Sequence, residues 1–125
     1  MGSGDVYKRQ AANSSLLHGD FYPGSWIHNA QKEFYCIDPE FGFVGPKEFD
    51  LGVFTAHALF CGSSFCEKQA LASYLEVHAD TDVGLAYQFA GVEVLRRIFG
   101  LAQLPLTAGL EQKEAWVTQA LAWAT

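Results

Sequence analysis

The sequence predicts an α+β, mostly helical fold, in which a short β-hairpin carrying acidic residues precedes a bundle of about four helices. Three observations predict it. Two short apolar runs, Trp26-Ile27-His28 and Phe34-Tyr35-Cys36-Ile37, flank the polar stretch Asn29-Ala30-Gln31-Lys32-Glu33, the pattern of a hairpin with a five-residue connection. Beyond Pro46 apolar residues recur at helical spacing, punctuated by Gly62, Gly100 and a break from Pro105 to Gly109. Hydrophobic residues make up 50% of the 125 positions, aromatic residues 14% and charged residues only 18%, which suits a well-buried single domain.

The helical half reads in order. Asp50 is the expected N-cap of a helix over Leu51 to Phe60, so apolar that it must be buried on nearly all sides, and Gly62 ends it. Ser64 and Glu67 form a capping-box pattern opening a second helix to about His78. Asp80, Thr81 or Asp82 opens a third that runs to Phe99, with Val83, Ala86, Tyr87, Ala90, Val94 and Ile98 on one stripe. Leu110 to Ala124 is a fourth amphipathic helix. Residues 1–10 stand apart: Met1-Gly2-Ser3-Gly4 is tag-like, and Asp5 to Gln10 has the character of a sequence-assembly remnant. The folded unit is therefore expected over residues 11–125.

Composition excludes several functions. A net charge of −6 with only 8 Lys and Arg disfavours a nucleic-acid surface or adhesion to an anionic membrane. No apolar run reaches the ~18 residues that span a bilayer, and no signal peptide is evident, so a cytoplasmic location is expected. Cys36, Cys61 and Cys66 lie in apolar segments and read as buried thiols of a reducing compartment. His57, Cys61, Cys66 and His78 raise a zinc reading, but the Cys-x4-Cys spacing is loose, and structural thiols with a core histidine explain them better.

Chemistry concentrates around the hairpin. His18-Gly19-Asp20 precedes the first strand and Asp38-Pro39-Glu40 follows the second, so an antiparallel pair brings Asp20, Asp38 and Glu40 to one end. Convergence of these three carboxylates on a common point is the structural expectation, and their divergence would count against a kinase reading of this chain. Asp20 is suited to accept a proton from a substrate hydroxyl, and Asp38 with Glu40 to hold a magnesium ion that prefers oxygen ligands and substrate phosphates. A base beside metal-binding acids is the minimal equipment of phosphoryl transfer. Either motif alone is commonly a capped turn; the two joined by a hairpin and followed by a buried helix favour the functional reading.

His18-Gly19-Asp20 with Ser25 resembles the catalytic-loop motif of the aminoglycoside phosphotransferase and choline kinase-like superfamily. Asp38-Pro39-Glu40-Phe41-Gly42-Phe43, then Gly45-Pro46 and Phe49-Asp50-Leu51-Gly52, is similar to the next segment of its methylthioribose kinase family. Ser25, where most of the superfamily has Asn, agrees with that family, and the segment from Gly91 to Ala102 is similar to one whose paired arginines lie near the substrate. The resemblance covers roughly Leu16 to Leu106. It implies a kinase-like C-terminal lobe without its N-terminal lobe, ATP and Mg2+ as cofactors, and a sugar or amino-alcohol substrate. It implies Asp20 as catalytic base with His18 orienting the loop, and Asp38 and Glu40 as metal ligands. Ser25 and Asp38 take the nucleotide–metal side, while Asp50 braces the loop. Arg96, Arg97 and Trp26 become substrate-binding candidates. A helix C-terminus also favours Arg96 and Arg97 without any substrate, and adjacent arginines are expected to point differently. Trp26 has an equally simple role in the core.

No Gly-rich phosphate loop precedes His18, so the fragment is expected to be inactive alone and to expose an apolar surface where an N-terminal lobe packs. The leading reading is a kinase acting on methylthioribose or a related sugar, with a homodimer allowed for the full-length parent. The alternatives are an aminoglycoside- or choline-type phosphotransferase with another acceptor, and a non-catalytic helical binding module that retains the motifs by descent.

Overall fold

A computed structural model describes residues 14–62, 67–100, 103 and 106–125. The stretch 1–10, the Ser64 half of the capping box, Cys66 and Pro105 lie outside the described residues. Among the described residues four strands precede four α-helices. The strands are β1 (Ser14–Leu17), β2 (Trp26–His28), β3 (Phe34–Cys36) and β4 (Phe43–Pro46). The helices are α1 (Glu48–Phe60), α2 (Glu67–Val77), α3 (Val83–Phe99) and α4 (Leu110–Ala124). Among the described residues no helix is long and apolar enough to cross a membrane.

The expected hairpin forms, with Trp26 opposite Cys36 and His28 opposite Phe34. Its turn is built by Asn29, whose Oδ1 accepts from the N–H groups of Gln31 and Glu33. The sequence reading missed a second antiparallel pair, β1 with β4, which closes Ser14 onto Pro46 and Leu17 onto Phe43. Four-residue strands so far apart in sequence, one containing Gly and Pro, carry little local signal. This outer pair encloses the hairpin between its strands and brings His18, after β1, close to the start of α1. Leu16 and Val44, opposite each other in the register, are 84% and 68% exposed, and Ile27, Phe34, Tyr35 and Phe41 add to an apolar strand-side surface.

The helical ends follow local chemistry. Asp82 is the N-cap of α3, its Oδ1 accepting from Leu85 N at 3.1 Å. The turn before it is tied to α1, because the buried Glu48 carboxylate accepts from Asp82 N at 3.0 Å. Asp50 is not an N-cap: α1 starts at Glu48, so Asp50 lies in its first turn and its carboxylate is available elsewhere. The thiols of Cys36 and Cys61 are exposed rather than buried, since each sits at an element's end, Cys36 closing β3 and Cys61 following α1.

Helix α3 is the central element, packing on α1 and on α4. Ala56, Ala90, Val94, Trp116 and Ala120 form one buried cluster, and Leu51, Leu71 and Ala86 tie α2 into a second. Small residues set how closely these helices approach. A Cβ on Gly52 would lie 2.5 Å from Phe89 Cβ and 2.8 Å from Ala86 O, and one on Gly91 would lie 2.4 Å from Ala120 O. Helix propensity alone would make Gly52→Ala stabilising by about 1 kcal/mol. Contact with a neighbouring backbone outweighs that gain, since overpacking costs about 1–3 kcal/mol. Gly52→Ala is therefore expected to lower unfolding stability in urea, whereas Gly84→Ala, whose Cβ meets nothing nearer than 3.5 Å, is expected to be neutral or stabilising.

Candidate functional site

The loop after β1 is held at its backbone. Asp50 Oδ2 accepts from His18 N at 2.7 Å and Oδ1 from Gly19 N at 3.0 Å, so one carboxylate fixes two successive peptide groups. His18 is fixed at its ring as well. Its Nε2 meets Ile37 O at 2.6 Å and its Nδ1 accepts from Asp20 N at 3.1 Å. A carbonyl only accepts and an amide N–H only donates, so the ring is the neutral Nε2–H tautomer. Both nitrogens are thereby committed, which makes His18 a positioning residue that ties the Asp20 peptide to the end of the hairpin.

Gly19 allows the loop to lie against the turn after β3. Its φ is +86°, and a Cβ there would sit 2.2 Å from Phe41 O, so no other residue fits without moving backbone. Ser25, 2% exposed, closes the loop from the other side: its hydroxyl donates to Asp20 O at 2.9 Å, and its carbonyl accepts from Ile37 N at 2.7 Å. Phe21 anchors the chain just past Asp20, its ring 5.2 Å from that of Trp26 and 6.0 Å from that of Phe54 on α1.

Asp20 reaches across to α3. Its Oδ1 accepts from an Arg97 terminal nitrogen at 2.7 Å and lies 3.9 Å from Arg96, which leaves Oδ2 without a hydrogen bond among the described residues. Behind both arginines is Glu93, 3% exposed and not singled out by the sequence reading. Arg96 forks onto it, Nε to Oε1 at 2.7 Å and a terminal nitrogen to Oε2 at 3.2 Å. Arg97 Nε and His57 Nε2 each lie 3.4 Å from Oε2. The adjacent arginines thus share an anchor, because Glu93 is the i−3 neighbour of one and the i−4 neighbour of the other. They still differ in setting, with Arg97 buried and Arg96 at the rim. Arg97 also lies over Tyr22, 4.9 Å from its ring centroid, and that ring in turn stacks 4.7 Å from His57.

Asp20, Glu93, Arg96 and Arg97 line one side of a cavity of about 420 Å³, and Phe41, Phe43, Phe49 and Phe89 line much of the rest. Such a space accepts a small molecule with a polar and an apolar end. Burial raises the pKa of Glu93, but the hydrogen bonds from His57 and Arg96 and the charges of Arg96 and Arg97 outweigh it and hold the carboxyl below the ordinary range. Arg96 is pushed up by its hydrogen bond to Glu93, against some desolvation.

Three expected residues take other positions. Trp26 lies outside this cavity, in an aromatic cluster with Phe21, Phe34 and Phe54, and its buried Nε1 has no hydrogen-bond partner among the described residues. Asp38 and Glu40 are exposed; Asp38 has φ +56° and leads into the 3-10 turn Pro39–Phe41 that carries Glu40. The expected convergence of three carboxylates is not formed: among the described residues no group of three His, Cys, Asp or Glu could hold a metal. Arg97 and Arg96 draw the Asp20 carboxylate toward α3 instead. What the fold brings together is the two loops, through the contact of Gly19 with Phe41, and the exposed oxygen donors of Asp38 and Glu40 retain the chemistry that suits a hard cation sharing phosphate ligands.

Asp50→Ala strands two backbone donors and is expected to cost about 3 kcal/mol in chemical unfolding, against about 1 kcal/mol for Asp82→Ala at an exposed helix cap. Equal losses would refute the bracing role. Glu93 has a folded pKa below its unfolded one, so its contribution is complete at neutral pH and is lost as pH falls below about 4 through the folded value. Stability measured from pH 7 to 3 should therefore fall more steeply in the wild type than in Glu93→Gln.

Comparison with known proteins bears on the family of the chain. The family described as fructosamine kinase matches residues 4–81. A methylthioribose kinase of Geobacillus sp. (strain WCH70) is 33% identical, over 80% of this chain and 33% of its own length. Those of Geobacillus thermodenitrificans and Geobacillus kaustophilus are 34% and 35% identical, each over 79% of this chain and 33% of their own. The chain thus spans about a third of the length of the curated relatives it matches. With the match covering more than half of its residues, the chain belongs to the fructosamine kinase family, in keeping with the kinase-like resemblance of the segment around His18-Gly19-Asp20.

Proposed function

We propose that this chain supplies the catalytic loop and helical lobe of an ATP-dependent kinase that phosphorylates a hydroxyl of methylthioribose or a related small sugar. The observation that carries the reading is Asp20, presented at the cavity on a loop clamped by Asp50, with Oδ1 held by Arg97 and Oδ2 left to meet a substrate. Curated methylthioribose kinases among the relatives and the fructosamine kinase match support a sugar acceptor.

In this mechanism Asp20 accepts the proton of the sugar hydroxyl as the hydroxyl oxygen bonds to the γ-phosphorus and the bond to the departing ADP breaks. Arg97 keeps the carboxylate aimed, and Arg96 at the rim is placed to meet a sugar hydroxyl or the new phosphate. Asp38 and Glu40 would hold magnesium together with the nucleotide phosphates, and the ion supplies charge neutralisation there. Ser25 supports Asp20 by donating its hydroxyl to the Asp20 carbonyl rather than lining the cavity. The apolar wall receives the less polar end of the sugar. The exposed Leu16–Val44 side suits the packing of an N-terminal lobe, which would bring the phosphate-gripping groups.

ADP release by the full-length parent, assayed with methylthioribose beside a fructosamine, an aminoglycoside and choline, tests the reading. Turnover with the sugars and loss of about 10²–10⁴-fold in Asp20→Asn, with circular dichroism unchanged, is the expected result. Retained turnover in Asp20→Asn would refute the base assignment, and preference for choline would move the acceptor to another class.

A further inference from the structure

Glu93 is expensive to bury. A carboxylate at 3% exposure loses several kcal/mol of hydration, and an apolar residue of similar volume at such a place is often no less stable. It stands on α3 beside Ala90 and Val94, both fully buried, at a position where helix packing alone calls for no charge. Its partners come from two helices: His57 from α1, and Arg96 and Arg97 from its own. Arg97 in turn bonds both Glu93 and Asp20, with the Tyr22 ring against its face. A planar group held at two edges and one face has little freedom left. The direction of Asp20 is consequently set from the protein interior.

We infer that Glu93 is a positioning residue of this site, fixing the planes of both guanidinium groups and, through Arg97, the orientation of the Asp20 carboxylate. The inference rests on the phosphotransfer reading, with Asp20 as the group that meets substrate. Losing Glu93 removes one of the bonds that orient Arg97, so its guanidinium can turn toward Asp20 and bring a second nitrogen to the oxygen that the substrate hydroxyl needs. Displacements of about 1 Å at a reacting group cost on the order of 10²-fold in rate.

The test is a double-variant comparison in the full-length parent. Glu93→Gln and Arg97→Lys are each expected to lower kcat with the sugar by about 10–100-fold while KM for ATP changes less than about threefold. The double variant should be no worse than the poorer single one, because both break the same linkage. Losses that multiply, or an unchanged kcat in folded Glu93→Gln, would overturn the inference. If Glu93→Gln does not fold, Glu93→Asp takes its place, with the charge kept and its reach shortened. A fall in kcat with the melting temperature held supports positioning, and an unaltered kcat refutes it. The Arg97 Nε–H resonance, followed by nitrogen-15 NMR, gives a readout independent of turnover. It should move in the Glu93 variant, and a signal that stays in place would reject the linkage. Absence of phosphotransfer in the wild-type parent would sink the proposed function, and the resonance would still decide whether Glu93 holds Arg97.

Discussion

The Asp50 carboxylate is the constraint from which the site is built. It sits in the first turn of α1, where a negative charge faces the positive end of the helix, and it takes the N–H groups of both His18 and Gly19. A loop outside the regular strands and helices thereby acquires the rigidity of the helix it leans on. Every later contact depends on that placement: the His18 ring meets Ile37 O, Gly19 lies against Phe41, and Asp20 points toward α3. Without it the loop would have to satisfy two amides from water, and Asp20 would have no fixed origin.

A second constraint comes from the opposite direction. Glu93, Arg97 and Asp20 form a line from the core to the cavity, in which each charge is balanced by the next. Two carboxylates and two guanidinium groups leave the cluster neutral, so burial of Glu93 and Arg97 does not leave an uncompensated charge. The close approach of α1 and α3 around Gly52 brings His57 within reach of Glu93, joining the packing of the bundle to the geometry of the site. Core and site are in this sense one structure, and α3 belongs to both.

Much of the local architecture was legible from residue pattern. The hairpin of Trp26–His28 with Phe34–Cys36, the Asp82 cap and the extents of the last two helices all follow from nearest-neighbour chemistry. The β1–β4 pair was not, because partners nearly thirty residues apart leave no local mark. Asp50 looked like a cap because an acid before an apolar run usually is one; only the preceding turn shows that α1 has already begun at Glu48. Glu93 was hidden for a related reason. An acid three and four residues before two arginines reads as a solvated helix pair, and burial is a property of the assembled bundle.

The sequence by itself determined which chemical groups the protein has and which of them lie close along the chain: His18 with Asp20, Asp38 with Glu40, Arg96 with Arg97. Those relations depend on covalent spacing and on the periods of helix and strand, which local residues dictate. The tertiary structure decided which groups meet across the chain. It gave Asp20 to Arg97, seventy-seven residues away, rather than to Asp38 and Glu40, and it set Trp26 in an aromatic cluster apart from the cavity. The physical reason is that a guanidinium held in place by a buried carboxylate offers Asp20 a strong, oriented partner, whereas carboxylates repel one another and converge only around a cation.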